Sequence, residues 1–366
     1  TAFGVPAVVV ERKKQARSDS ALSTGSPHAR TIRLITETVR KLQLDLSGLT
    51  VITEAATGHF AVTASIAALA GARVQAIAAD SPYGTAQEAA EATLALANAM
   101  SVGPQIEIVS REEAKFGDAS IVTNLGFVRP CDHSIVSRLN AGTVIPVMYD
   151  SRELRPGEID LDSCRERGIH VVGTNEEHLL ADVLSYCGPL AVRLLMEQNL
   201  ELRGTRIVIA GENFFTTPIT RALQRMGAEV AILTNWSMLD HQSLDSLDLL
   251  LYVDYWNQLG NIADSPSASQ LSLASGATVL QFVGGLSLEP FRAAQWKVVP
   301  STPLAPHRMW RTLAHLGPRP VVELHAAGLK AAELQFRGVD HDSGTQFDGL
   351  RQPIIAFRQA EVLATR

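Results

Sequence analysis

Residues 160–174 read DLDSCRERGIHVVGT, and residues 202–233 read LRGTRIVIAGENFFTTPITRALQRMGAEVAIL. In the second stretch a short apolar run, Arg206–Ala210, feeds Gly211, a tight loop and a run with helical spacing. Gly227-Ala228 stops that helix and a second apolar run, Glu229–Leu233, follows. Strand, glycine loop, helix and strand in this order predict a βαβ unit, whose first helix N-terminus suits an anionic pyrophosphate. Outward from it, the first stretch ends in an apolar run, Ile169–Val172, that predicts a strand. Glu176 to Gln198 then sets Leu180, Val183, Leu184, Cys187, Ala191, Leu194 and Leu195 at helical spacing. Pro189 falls inside that pattern and predicts a kink near Ser185.

The chain of 366 residues exceeds one ordinary core, so two domains are expected. With 46% hydrophobic and 19% charged residues, the composition is that of a soluble globular enzyme. A net charge of −6 without a basic, aromatic-interleaved stripe argues against nucleic acid as a partner. Cys131, Cys164 and Cys187 are widely spaced, which predicts neither a disulfide framework nor a zinc site and favours a reducing cytoplasm. The alanine-rich stretch Phe60–Ala79 is broken by Arg73 and Gln75, so no membrane span is expected.

The first half repeats the α/β theme. Helical spacing begins near Thr31, after an N-terminal arm (1–30). Strands are predicted at Leu49–Thr53, Arg73–Ala79, Gln105–Val109, Ala119–Thr123, Thr143–Val147 and Ile169–Val172, with helices ending near Leu69 and Met100. Later strands are predicted at Leu247–Val253, Thr278–Phe282 and Lys297–Val299, and a closing helix follows His325. The expected fold is α/β, with two Rossmann-like or flavodoxin-like lobes of parallel sheet. A substrate domain (31–175 with 323–366) and a nucleotide-binding domain (176–322) would face each other across a cleft.

The DLDSCRERGIHVV segment, the following long helix and the βαβ unit together resemble the D-isomer-specific 2-hydroxyacid dehydrogenases. That resemblance implies a NAD or NADP cofactor on Gly211, Glu212, Asn213, Phe214 and Thr216, with Thr234, Asn235 and Gly284 beside it. Only the first glycine of the GxGxxG pattern is kept, and Thr234-Asn235 stands where an acidic ribose ligand is usual. Val283 stands at the position of the family's carboxylate-binding arginine, although Gly284, Gly285 and Leu286 still match. His325, in VVELHAAGLKAAE, matches the family's acid/base histidine. Glu323 would share its face if the stretch were extended, and would raise the imidazole pKa. The resemblance also implies a homodimer. The plain alternative for His325 is a buried, hydrogen-bonded core residue.

Other candidates stand on their own chemistry. Tyr149, Asp150, Ser151, Arg152, Glu153 and Arg155 follow a predicted strand end, where α/β ligands gather, and Arg152 could clamp a carboxylate. A solvated turn before Pro156-Gly157 would read the same way. Asn124 and Arg129 follow the preceding strand. The loop Thr53-Glu54-Ala55-Ala56-Thr57-Gly58 opens a helix, and Asp80 ends the next strand, vaguely like the first motif of Rossmann-like methyltransferases. The bland reading there is a helix cap by Thr57 or Thr53. His178 and Asp182, with Glu177, would share a helix face, but a metal is not expected. His307 follows the last predicted strand of the second lobe.

The expected function is an NAD(P)-dependent oxidoreductase acting on a small acidic substrate. His325, Glu323 and Arg152 would be catalytic; Glu54, Asn124, Arg129, Tyr149, Asp150, Ser151 and His178 would bind substrate. A lyase, isomerase or transferase, or a binding protein with a degenerate cofactor loop, would use the same frame.

Overall fold

The structure, a computed structural model, describes residues 28–354. The N-terminal arm up to residue 27 and the tail after residue 354 lie outside the described residues. The chain divides into two compact units: residues 28–151, 155–174 and 321–354 form the first, and residues 152–154 and 175–320 the second.

The first unit is a seven-stranded sheet ordered β12-β6-β5-β4-β1-β2-β3. Its parallel strands are β1 (Thr50–Glu54), β2 (Arg73–Ile77), β3 (Ile106–Val109), β4 (Ile121–Val122), β5 (Val144–Pro146) and β6 (His170–Thr174). The last strand, β12 (Arg351–Pro353), pairs antiparallel with β6. Helices α1 (Ala29–Lys41), α2 (Val62–Leu69), α3 (Ala86–Ala99), α4 (His133–Val136), α5 (Leu161–Arg167) and most of α10 (Pro318–Phe336) complete it. Capping follows the sequence. Thr85 and Glu88 form a capping box on α3, and Asp160 accepts from the Ser163 amide at the start of α5. The six parallel strands run 3-2-1-4-5-6, so the chain reverses direction across the sheet between β1 and β4. In open α/β sheets, ligands bind outside the carboxyl ends of the strands at such a reversal.

The second unit is an all-parallel sheet ordered β11-β10-β9-β7-β8. It comprises β7 (Arg206–Ala210), β8 (Glu229–Leu233), β9 (Leu249–Tyr252), β10 (Thr278–Gln281) and β11 (Lys297–Val299), with α6 (Cys187–Met196), α7 (Thr216–Arg225), α8 (His241–Leu244) and α9 (Glu289–Ala293). β7 and β9 are buried along most of their length, as a strand covered on both faces must be. The reversal here falls between β7 and β9. Both units are therefore the parallel α/β layers that the sequence predicts. The longer 3-2-1-4-5-6 order, typical of dinucleotide sheets, belongs to the first unit and the shorter 2-1-3-4-5 order to the second.

Three predicted features differ. The run from Glu176 does not start a helix: 176–183 is irregular, and α6 begins only at Cys187 after a short 3-10 turn at Leu184–Tyr186. Pro189 sits in the first turn of α6, where its missing amide costs no hydrogen bond, so it opens a helix and does not kink one. His325 lies inside α10 and not in an extended stretch. No described helix is long and apolar enough to cross a membrane.

Candidate functional site

In the first unit the reversal point gathers polar side chains. Thr53 and Thr123 sit side by side on β1 and just past its β4 partner, joined hydroxyl to hydroxyl at 2.9 Å. Side chains alternate along strands, so the next residues, Glu54 and Asn124, turn together to the opposite face. Glu54 is 7% exposed and Asn124 is fully buried. The Glu54 carboxyl packs against Gly126, where an added Cβ would lie 1.5 Å from Oε2. Gly126 also has φ +33°, so a side chain there is excluded twice over.

Glu54 accepts a hydrogen bond from no described residue, and burial pushes its pKa up to about 7, partly offset by the Arg129 charge. Asn124 Nδ2 donates to the Tyr149 hydroxyl at 2.9 Å. Tyr149 gives its one proton to Glu158, so it can only accept from Asn124. That fixes the Asn124 amide and leaves its buried Oδ1 without a partner. Glu158 also accepts from Arg129 at 3.3 Å and Arg155 at 3.2 Å. Arg129 uses only Nη1 in this way among the described residues.

Arg129 sits on the loop after β4, and Arg111, just beyond β3, holds that loop. The Arg111 guanidinium donates to the carbonyls of Phe127, Val128, Arg129 and Pro130 at 2.7–3.1 Å. His325 is 3% exposed; its Nδ1 lies 2.6 Å from Thr63 Oγ1, and the Phe60 ring stands 6.1 Å away. Burial, reinforced by Arg129, lowers its pKa to about 4, so the ring is neutral at pH 7. Glu323 does not raise that pKa. Two residues apart on a helix are about 200° apart around its axis, so the expected shared face does not exist.

The remaining candidates of this unit have structural employment. Asp150, 2% exposed, accepts from Gln352 Nε2 at 3.1 Å, and the Ser151 amide donates to Gln352 Oε1 at 2.9 Å. The loop after β1 is not an open anion nest: Ala55 N–H bonds Ile77 O, and Ala56 N–H bonds Thr93 Oγ1. Neither threonine caps α2. Thr53 bonds Thr123, and the Thr57 hydroxyl donates to Tyr83 O. Asp80 accepts from the Ala86 amide at 2.8 Å.

In the second unit the same topological position is closed. Gly211 packs on the backbone of Asp254, where a Cβ would meet Cα at 2.7 Å. Asn213 Nδ2 donates to Val253 O at 2.6 Å, stitching the β7 and β9 loops together. The Asn213 amide donates to Thr216 Oγ1, the Phe215 amide to Asn213 Oδ1, and the Thr216 hydroxyl to Gly211 O. Phe214, Phe215, Tyr255 and Trp256 fill the mouth with ring centroids 4.3–6.2 Å apart. Glu212 is exposed on the loop. The amides a pyrophosphate would need are largely committed to the protein itself, and the loop as folded does not fit that group.

The neighbours of that loop agree. Thr234 donates to Met238 Sδ, and Asn235 Oδ1 accepts from the Ser237 amide. Gly284 lies against the carbonyls of Leu304 and Ala305, not against open space. Arg152 lies over the Phe214 ring at 5.1 Å and pairs with Glu177 at 3.5 Å, two partners that belong, like Arg152 itself, to the second unit. His178 Nδ1 accepts from the Leu180 amide in an irregular segment, so His178 and Asp182 share no helix face. His307 Nδ1 lies 2.6 Å from Tyr255 O. No cluster of three or more metal-ligating side chains occurs among the described residues.

The structure thus brings together Glu54, Asn124, Arg129, Tyr149 and, through Arg129, His325. Glu158, Thr63 and Arg111 belong with them and escaped sequence reasoning. The Arg155–Glu158 spacing was a faint signal for Glu158. Thr63 meets His325 across 262 residues, which no local pattern reports.

No protein-family model matches this chain, and no curated protein matches it significantly. Solved structures do. A dipicolinate synthase chain from Bacillus subtilis is similar at 12% identity and TM-score 0.53, covering 81% of this chain and 100% of that one. The corresponding dipicolinate synthase chain from Bacillus halodurans matches at 12% identity and TM-score 0.49, over 80% and 99%. A D-lactate dehydrogenase from Treponema pallidum matches at 10% identity and TM-score 0.45, over 83% and 99%. The resemblance to D-2-hydroxyacid dehydrogenases stands as a likeness of fold.

Proposed function

We propose that the protein is an enzyme that moves protons on a small acidic substrate bound at the carboxyl ends of β1 and β4 in the first unit. One observation carries this reading: Glu54 is buried, accepts no hydrogen bond from a described residue, and has a pKa of about 7. A buried carboxyl without a structural partner is a poor stabiliser and a good acid/base group at neutral pH. Arg129 supplies the positive charge for an acidic group. His325, neutral and held by Thr63, is the second proton-exchanging group of the proposal, acting as a base because it carries no proton at pH 7 beyond that of the neutral ring.

The test is exchange in heavy water. Proton NMR would follow loss of the α-proton signal of 2-hydroxy and 2-amino acids, and of the C3 protons of 2-oxo acids, with the wild-type protein and with Glu54→Gln. Exchange that needs Glu54 supports the reading; exchange equal in both proteins removes it.

A second reading is nicotinamide-dependent oxidoreduction, favoured by the strand–glycine–helix order of β7 and α7 on a parallel sheet. It requires the Asn213–Val253 and Thr216–Gly211 hydrogen bonds to give way. Titration with NADH and NADPH, read by nicotinamide fluorescence and by melting temperature, decides it. No response from either nucleotide leaves the proton-transfer reading alone.

A further inference from the structure

The reversal point of the first unit presents two buried acceptors side by side with no donor between them, and one guanidinium with donors in reserve. The acceptors are the Glu54 carboxyl and Asn124 Oδ1. The guanidinium is that of Arg129, which uses Nη1 on Glu158 and stands close enough to Glu54 to influence its charge. Buried acceptors left unpaired are costly, so a matching ligand must bring donors of its own. A hydroxy acid brings one O–H for two acceptors, and a keto acid brings none. An ammonium group brings three N–H donors and a charge opposite to that of ionised Glu54.

We propose that this crevice receives an α-amino-acid head, its carboxylate on Arg129 and its ammonium group between Glu54 and Asn124 Oδ1. The proposal rests on the reading that the crevice takes an acidic substrate, and narrows that substrate to a zwitterion. The surroundings suit a ligand without net charge. Glu158 is shared by Arg129, Arg155 and Tyr149, His325 is neutral and Asp132 lies near enough to Arg111 to offset it, so ionised Glu54 brings these groups to balance. Gly126 leaves the room into which the Glu54 carboxyl fits, and Arg111 holds the Arg129 loop by four carbonyls.

The same head occurs on a free amino acid and on an amino acid joined to a nucleoside. The second would run along the carboxyl ends of the strands towards Asp80, which follows β2. There an acidic side chain can accept from ribose hydroxyls.

The full chain would be titrated by calorimetry and melting temperature with D- and L-alanine, D- and L-aspartate, lactate, malate and S-adenosylhomocysteine. At least one amino-acid probe is expected to bind, with its hydroxy-acid counterpart at least about tenfold weaker. Glu54→Gln should remove that preference while circular dichroism shows an unchanged fold, and Arg129→Met should weaken every probe. Because Glu54→Gln could perturb packing, Glu54→Asp, which keeps the carboxyl and withdraws it by one methylene, is the second variant and should weaken the same preference. Stabilisation by alanine or aspartate points to a free amino acid; stabilisation by S-adenosylhomocysteine alone points to the nucleoside-borne head. Lactate or malate binding as tightly as the amino acids would overturn the zwitterion while leaving an acidic substrate in place. Binding of none of these probes would sink both.

Discussion

The two sheets reverse direction in the same way, yet their reversal points are built oppositely. Between β7 and β9 the loops close on one another: Asn213 bridges to Val253, Thr216 closes on Gly211, and four aromatic rings fill what remains, with the Tyr252 hydroxyl left buried and, among the described residues, unpaired behind them. Between β1 and β4 it leaves groups unmatched: Glu54 and Asn124 Oδ1 are buried without donors, beside an arginine that uses only part of its guanidinium. Topology offers both places equally to a ligand. The difference teaches that what the strand-end side chains are engaged in, and not fold position, decides which of the two places has groups left for a ligand.

The largest effect that would test this contrast is in the sealed crevice. Phe215 is 2% exposed and touches the rings of Phe214, Tyr255 and Phe282. Phe215→Ala should cost about 3–5 kcal/mol of stability by urea unfolding, with binding in the first unit unchanged in the residual folded protein. A loss of binding without a loss of stability would mean that the aromatic mouth holds a ligand after all.

The next effects come from protonation, and their signs oppose. Glu54 has a folded pKa near 7, above its ordinary 4.5. The folded state therefore binds more protons than the unfolded chain between those values, and stability falls as pH rises through that window. Glu54→Gln should remove the fall, making the variant more stable by up to about 3 kcal/mol at pH 8, with no such gain below pH 4.5. His325 is lowered to about 4 from 6.5, so here the unfolded chain binds more protons. Its contribution is complete above pH 6.5 and is lost as pH falls towards 4. The two slopes overlap and partly cancel in the wild type, so each single variant should expose the other's slope. Unfolding curves from pH 4 to 8 check this. A pH-independent difference between wild type and Glu54→Gln would show that the carboxyl is not raised.

Smaller changes sharpen the picture. Thr63→Val leaves His325 Nδ1 without its partner and should cost about 1–2 kcal/mol. Asn213→Ala removes two hydrogen bonds from the sealed loop and should cost about 1–3 kcal/mol by thermal unfolding. Arg152→Ala, which removes a partly exposed pair with Glu177, should cost less than about 1 kcal/mol. A large fall in substrate affinity with Arg152→Ala would restore that arginine to the site.

Much of this was legible in the residues. Apolar runs such as Arg206–Ala210 and Lys297–Val299 mark their strands because buried parallel strands read as short, uniform stretches bounded by glycine or polar residues. Glu54, Asn124, Arg129 and Tyr149 were legible as strand-end polar residues. What failed was anything set by partner geometry. Glu323 and His325 look adjacent in sequence but diverge once their segment is helical, and Arg152 looks continuous with Tyr149 although the chain passes there from one unit to the other. The degenerate glycine pattern showed that the loop had changed. Its closure on itself is set by contacts with Val253 and Asp254, some 40 residues away, which no local pattern reports.

The antiparallel strand β12 has a consequence for solubility. It covers the β6 edge of an otherwise parallel sheet, and its Gln352 secures Asp150 and Ser151. A chain cut before Arg351 would bare the row of amides and carbonyls along His170–Thr174, a template for strand addition from another molecule. Such a truncation should fail first by clumping during expression, while the polar groups at the ends of β4 and β1, two and three strands in from β6, are still in place.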